Sequence, residues 1–237
     1  FLVSCMHANN ETGAINAINE IALSVKSINA DIYFHTDCAQ TFGKTNLVMN
    51  DKNIDLLSFS AHKFHGPKGI GGLLMRKRND MSLPIKPLMY GGGQERGVRP
   101  GTHPVALIAG MAKSLEISIK NQDQWNAKCK EIKSAAINSF KDIDYKIYGT
   151  TDERTLPNTL SIAFSDLDAE AVILTLKEHA EIATGSACTS DSYTPSHVIS
   201  SMGASEIEAQ RVVRFSWGSE TNPEVFKSIA TSLKSLL

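Results

Sequence analysis

Apolar and polar positions alternate along the chain in two rhythms, one strand-like and one helical. Leu2 to Met6 is a short apolar run that predicts a buried strand. It is followed by His7-Ala8-Asn9-Asn10-Glu11-Thr12-Gly13, a loop by composition. Ile18, Ile21, Ala22, Val25 and Ile28 keep helical spacing and predict a helix from about Ala17 to Asn29. Ile32-Tyr33-Phe34-His35-Thr36 and Leu56-Leu57-Ser58-Phe59-Ser60 are short and β-rich. They predict strands that end at Asp37 and at His62-Lys63. Gly66 to Gly72 reads as a turn-rich loop, Leu73 to Arg76 as an extended return, and Gly91 to Gly97 as a second loop.

From Val105 to about Phe140 the pattern is mostly helical, with Trp125 and Ile132 among the apolar positions. Tyr145 to Tyr148, Thr159 to Phe164 and Val212 to Phe215 predict strands, and Ala169 to His179 a helix. Pro223 to Leu237 predicts a closing helix with proline in its first turn. The first half therefore reads as an α/β domain with a mainly parallel sheet, and the second as a smaller α+β domain. The boundary is expected near residue 118, dividing 1–118 from 119–237. Open α/β sheets bind ligands beyond the carboxyl ends of their strands. Asn10, Asp37 and His62-Lys63 all follow apolar strands directly.

Composition narrows the class. Apolar residues are 42% and charged residues 21%, as in an ordinary globular chain. Lys plus Arg is 24 against 25 for Asp plus Glu, which argues against a dedicated nucleic-acid surface. The basic run Met75-Arg76-Lys77-Arg78 reads as a solvated strand end. No apolar run approaches the roughly 20 residues of a membrane helix. Phe1-Leu2-Val3-Ser4-Cys5 has no initiator Met and no signal-peptide pattern. It reads as mid-strand, so an N-terminal portion of the large domain is expected to be absent from this chain. Cys5, Cys38, Cys129 and Cys188 are widely spaced without a CxxC pair, so neither zinc nor a disulfide framework is expected. Free thiols fit a reducing compartment, the cytoplasm or an organelle matrix. His7, His35, His62 and His65 are not spaced as metal ligands, and no metal is expected.

Asp37-Cys38-Ala39-Gln40 after one strand and Ser60-Ala61-His62-Lys63 after the next form a chemical set. An aldehyde cofactor such as pyridoxal 5'-phosphate needs a lysine for a Schiff base and a carboxylate for its pyridine nitrogen. Ser and His donors suit its phosphate, and Asn and Gln its ring hydroxyl.

Ser60-Ala61-His62-Lys63-Phe64-His65-Gly66-Pro67-Lys68-Gly69-Ile70-Gly71 closely resembles the cofactor-lysine segment of the cysteine desulfurases, pyridoxal-phosphate enzymes of the aspartate-aminotransferase-like fold. Similar segments follow the family's order. They are His7 to Gly13, His35 to Gln40, Gly91 to Thr102, Pro157-Asn158, Gly185-Ser186-Ala187-Cys188-Thr189-Ser190 and Arg214-Phe215-Ser216.

The resemblance implies that Lys63 carries the cofactor and later moves protons, and that Asp37 pairs with the pyridine nitrogen. It implies that Asn10 and Gln40 contact the ring hydroxyl and that Ser60 and His62 hold the phosphate. Thr102 would reach the phosphate of the other subunit of a homodimer. Arg214 would grip the substrate carboxylate, assisted by Asn158. Cys188 would be the nucleophile that takes sulfur from L-cysteine as a persulfide and releases L-alanine. The sulfur would pass to an acceptor protein, an iron–sulfur scaffold or a thiolation enzyme, and a relative acts in DNA phosphorothioation. The longer, polar cysteine loop resembles that of the iron–sulfur and thiolation branch. The family's earlier glycine-rich phosphate loop and ring-stacking histidine have no counterpart in this chain. Two alternatives stay open: a truncated, inactive homologue that binds sulfur-relay partners, and a selenocysteine lyase.

Overall fold

The computed structural model describes residues 1–46, 51–78, 81, 83–184 and 195–237. The chain forms two compact units. One is built from Phe1–His7 and Asn16–Gln122, and the other from Ala8–Ile15 and Asp123–Leu237.

The first unit opens with β1 (Leu2–Met6), α1 (Ile18–Ile28), β2 (Tyr33–Asp37), β3 (Leu56–Ser60) and β4 (Gly71–Met75). The sheet order is β1-β2-β3-β4, with the first two pairs parallel and β3–β4 antiparallel. One face buries Ile18, Ala22, Phe34 and Ile54, with Ile21 and Val25 of α1 packed against them. Phe34 is fully buried, a contribution of about 1.5–3 kcal/mol. Phe42, Phe59 and Phe64 form an aromatic group in which Phe42 and Phe59 stack at 4.0 Å. α2 (Val105–Ser139) begins in this unit, where Met111 and Leu115 pack on the same cluster.

Two readings of the sequence differ from the structure here. Gly71 and Gly72 open a strand rather than a turn. A Cβ at Gly71 would stand 2.4 Å from the Phe59 carbonyl oxygen, and one at Gly72 2.4 Å from the Phe59 ring. Glycine thus permits close approach to β3, not chain reversal. Nor is the basic run a solvated strand end. Arg78 binds Asp55 at 2.6 and 2.7 Å, and Lys26 reaches the same carboxylate at 2.6 Å. Arg78 also donates to the carbonyls of Ala30, Asp31 and Ile32.

The second unit contains the rest of α2, β5 (Tyr145–Ile147), β6 (Thr159–Phe164), α3 (Ala169–Leu176), β7 (Ala183–Thr184), α4 (His197–Ser201), α5 (Glu206–Gln210), β8 (Val212–Ser216) and α6 (Val225–Lys234). Its sheet is antiparallel throughout, in the order β5-β6-β8-β7. Strand alternation sends Leu160, Ile162, Phe164, Val213 and Phe215 into a core with Ile132, Phe140 and Phe226. Ala163 and Val212, on the other face, pack with Ile199 and Ala209 of the short helices α4 and α5. Arg214 and Ser161 share that second face by the same alternation and stand opposite each other in register. No helix among the described residues is long and apolar enough to cross a membrane.

Candidate active site

In the first unit the chemistry gathers at the carboxyl ends of β2 and β3. Asp37 faces Ser58 across this parallel pair, so it and the turn after β3 leave the same end of the sheet. Asp37 Oδ1 accepts from the Ala39 amide at 2.8 Å, while Phe42 N donates to the Cys38 carbonyl at 2.8 Å. The resulting turn carries Gln40, half-buried.

After β3, Ser60 Oγ shares a 2.8 Å hydrogen bond with His62 Nδ1. Lys63 sits within a single 3-10 turn, Ala61–Phe64. Ala61 and Phe64 are fully buried, which anchors the turn on both sides of the half-buried lysine. His65 then adopts a left-handed conformation, φ 66°, and the Gly66 amide closes on the Ala61 carbonyl at 2.9 Å. A Cβ at Gly66 would lie 2.6 Å from Ser114 Oγ and 2.9 Å from that carbonyl, so glycine is needed there. Ser118 of α2 donates to the Phe64 carbonyl at 3.2 Å. The lysine is therefore presented by backbone that packing holds still. Thr102 lies in an exposed stretch after Gly101, whose amide donates to Gln94 Oε1 at 3.1 Å. It makes no hydrogen bond to Ser60, His62 or Asp37 among the described residues.

An amine, a carboxylate and a hydroxyl–imidazole pair at adjacent strand ends fit pyridoxal phosphate. They match an aldehyde, a pyridine nitrogen and a phosphate in turn. The neighbouring thiol and imidazoles read differently. Burial, with the Asp37 charge adding to it, pushes the Cys38 thiol up to about 11 against hydrogen bonds from Thr41 and Thr36. His35 bridges Ser4 Oγ at 2.7 Å and Ser58 Oγ at 3.1 Å, and burial holds it below its ordinary value against the pull of Asp37. His7 shares a 2.9 Å hydrogen bond with Thr41, and burial lowers its pKa as well. Cys38 is a core group, and His7 and His35 are half-buried with hydrogen-bond partners of their own.

In the second unit, loop 8–15 is folded by Asn9, whose Oδ1 accepts from the amides of Glu11 and Thr12 at 2.9 and 3.0 Å. The Leu156 amide bonds the Gly13 carbonyl at 2.9 Å. Arg214 of β8 donates from Nη1 to the Asn10 carbonyl at 2.9 Å, while the Asn10 side chain is exposed. Asn158 enters β6, and its carbonyl accepts from the Trp217 amide at 3.3 Å. Asn158 Oδ1, Ser161 Oγ and Arg214 Nε are all buried and have no hydrogen-bond partner among the described residues. An arginine N–H in that condition has an unmet need for an acceptor, and a carboxylate is its best one.

Two buried residues that the sequence did not single out complete this region. Ser196 Oγ donates to Glu11 Oε2 at 2.5 Å and accepts from the amides of Val198 and Ile199, capping α4. A serine ahead of an apolar run is a legible cap signal. Glu11 carries no comparable signal. Cys188 falls within residues 185–194, outside the described residues.

The sequence profile described as aminotransferase class-V matches residues 1–225. A protein named cysteine desulfurase IscS, from Dictyoglomus turgidum, is 40% identical over 226 residues, covering 94% of this chain and 56% of that protein. A solved structure titled NifS-like protein superimposes with a TM-score of 0.87 at 32% identity, over 100% of this chain and 60% of the other. Another, titled SspA in complex with cysteine, gives a TM-score of 0.74 at 35% identity, over 94% of this chain and 60% of the other. The chain spans about half the length of the curated relatives it matches. With nearly its whole length matched, this chain belongs to the class-V aminotransferase family.

Proposed function

We propose that this chain carries the cofactor lysine and the sulfur-accepting cysteine of a pyridoxal-phosphate-dependent cysteine desulfurase. The observation that carries the reading is Lys63, held in a packed turn beside the Ser60–His62 pair, at the strand end next to Asp37. Its 40% identity to a protein named cysteine desulfurase supports the same reading.

Lys63 would hold the cofactor aldehyde, Asp37 its pyridine nitrogen, Asn10 and Gln40 its ring hydroxyl, and Ser60 and His62 its phosphate. When bound, pyridoxal phosphate supplies an electron sink for the substrate's Cα. The Lys63 amine, neutral when it acts as a base, removes the Cα proton and later returns it. Arg214 binds the substrate carboxylate through its free Nε–H, with Asn158 beside it in support. Cys188, as thiolate, forms an S–S bond to the sulfur of L-cysteine. The carbon–sulfur bond breaks, its electron pair goes to carbon, and a proton completes L-alanine. Cys188 is left as a persulfide, whose terminal sulfur passes to an acceptor protein, an iron–sulfur scaffold or a thiolation enzyme.

The working form is a homodimer in which Thr102 serves the phosphate of the partner subunit. Exposed Leu88, Met89 and Tyr90 in the same unit as Thr102 support such an apolar contact. The Cys5 and Cys38 thiols support a reducing compartment, the cytoplasm or an organelle matrix.

The test is the visible absorption of the protein with pyridoxal phosphate, before and after L-cysteine, with alanine release followed in parallel. A yellow band that shifts with cysteine and is lost in Lys63→Ala is expected, together with alanine release that stops in Cys188→Ala. A protein that stays colourless with the cofactor overturns the reading. So does alanine release that survives Cys188→Ala.

A further inference from the structure

Glu11 is 6% exposed and sits next to Asn10, whose carbonyl holds the Arg214 guanidinium at 2.9 Å. Its carboxylate receives the Ser196 hydroxyl at 2.5 Å, and Ser196 is itself 6% exposed. The same hydroxyl oxygen accepts the first amides of α4, from Val198 at 3.2 Å and Ile199 at 3.4 Å. Ile199, fully buried, packs with Ala163 and Val212 on the sheet face that also carries Arg214. Hydrogen bonds from α4 through Ser196 to Glu11, and from Arg214 to the Asn10 carbonyl, thus meet at adjacent residues of one loop, joined by the Asn10–Glu11 peptide bond. They join positions 185 and 204 residues apart in sequence.

A buried carboxylate is a costly way to satisfy one hydroxyl. A neutral acceptor would serve for capping alone, because Ser196 already caps α4 by accepting. The carboxylate adds a charge-assisted bond, short and directional, from a loop that Asn9 has already folded. The Ser196–Glu11 end of this connection is buried, where a hydrogen bond is electrostatically stronger than in water.

We propose that Glu11 is a positioning residue. Through Ser196 it ties α4, and with it the chain returning from the Cys188 segment, to the loop that orients Arg214 for the substrate carboxylate. The tether stands on this geometry. Its catalytic consequence rests on the cysteine desulfurase reading.

Hydrogen exchange of the cofactor-free protein tests the tether without turnover. Ser196→Ala should speed exchange roughly tenfold at the Glu11 and Thr12 amides, across the tether from the substitution. Glu11→Ala should do the same at Val198 and Ile199, and the double variant should exchange no faster than the faster single one. Glu11→Gln, which keeps an acceptor and the volume but not the charge, should speed exchange less than Glu11→Ala and guards against simple misfolding. Steady-state kinetics then reads the consequence. Glu11→Ala should raise KM for L-cysteine several-fold, with a smaller loss in kcat. Exchange unchanged across the tether, or additive effects in the double variant, overturns the tether whether or not the protein turns over cysteine. Coupled exchange with an unchanged KM reduces Glu11 to a structural brace and overturns the positioning role. Coupled exchange in a protein without desulfurase activity instead removes the functional reading and leaves the tether standing.

Discussion

The two units treat a buried charge in opposite ways. In the first, Asp55 is almost wholly buried and is met by two cations, Lys26 and Arg78, and by the Phe34 amide at 2.7 Å. In the second, Lys133 is 6% exposed and its hydrogen bonds among the described residues go to neutral oxygens, Thr155 Oγ1 at 2.8 Å and the Leu156 carbonyl at 3.2 Å. The same unit buries Glu11 against a serine, and among the described residues Arg214 Nε and Asn158 Oδ1 have no partner. Compensation in the first unit braces the strands that present Asp37 and Lys63. The second unit has buried polar groups uncompensated among its described residues, which cost stability unless a ligand or another group meets them.

The largest test of this contrast is catalytic. Lys63→Ala should remove the cofactor band and all detectable turnover, because no other group in the first unit supplies a reactive amine in that turn. Arg214→Ala should leave the band intact and raise KM for L-cysteine. The loss of a charged hydrogen bond is about 1.5–3 kcal/mol, or roughly ten- to a hundredfold. Spectra and initial rates on both variants separate the two. Loss of the band in Arg214→Ala would erase the division of labour between the units.

A smaller test is stability. Asp55→Ala leaves Lys26 and Arg78 partly buried without a counter-charge and should cost about 3–5 kcal/mol. Lys133→Met keeps the volume, removes a charge that burial opposes, and should cost under about 2 kcal/mol. Urea unfolding of both variants compares them directly, and equal losses would contradict the contrast.

The two groups also predict opposite pH limbs. Burial tends to raise the Asp55 pKa, but the hydrogen bonds from Arg78, Lys26 and Phe34 outweigh it and hold the carboxyl below its ordinary value. Its stabilisation is therefore present above the unfolded value of about 3.9 and lost as pH falls through the lower folded value. Burial lowers the Lys133 pKa against the charge of Asp152. The cost of the charged amine is present below that folded value and is relieved as pH rises toward the unfolded value of about 10.4. Urea midpoints across pH should show an acid loss that shrinks in Asp55→Asn. They should also show an alkaline rise that disappears in Lys133→Met.

Sequence reading reached as far as local physics reaches. Asp37, Ser60, His62 and Lys63 could be placed because their chemistry is concentrated in short segments that end apolar strands. The alternation in Thr159–Phe164 and Val212–Ser216 likewise announced strands. Arg78 was misread because its counter-charge is 23 residues away and nothing in the basic run points to it. Gly71 and Gly72 were misread because a turn and a close strand crossing call for the same residue. The Glu11–Ser196 and Asn10–Arg214 contacts span 185 and 204 residues, beyond any periodicity. Only the folded chain brings those residues together.

The smallest effect concerns Cys38, which lies beside Asp37 and invites comparison with Cys188. Its side chain is fully buried among Phe42, Leu57, Ala61 and Phe64. Burial pushes its thiol up to about 11, so only about one molecule in a thousand is thiolate at pH 8. An unperturbed thiol, with pKa about 8.5, would be roughly one quarter ionised. Iodoacetamide should therefore label Cys38 at least about two hundredfold more slowly than a free thiol, and mass spectrometry of timed digests reads the rate at each cysteine. Cys38→Ala removes only a small buried atom and should leave desulfurase activity within about twofold. Rapid labelling of Cys38 in the folded protein, or loss of turnover in Cys38→Ala, would move this thiol from the core of the first unit into its chemistry.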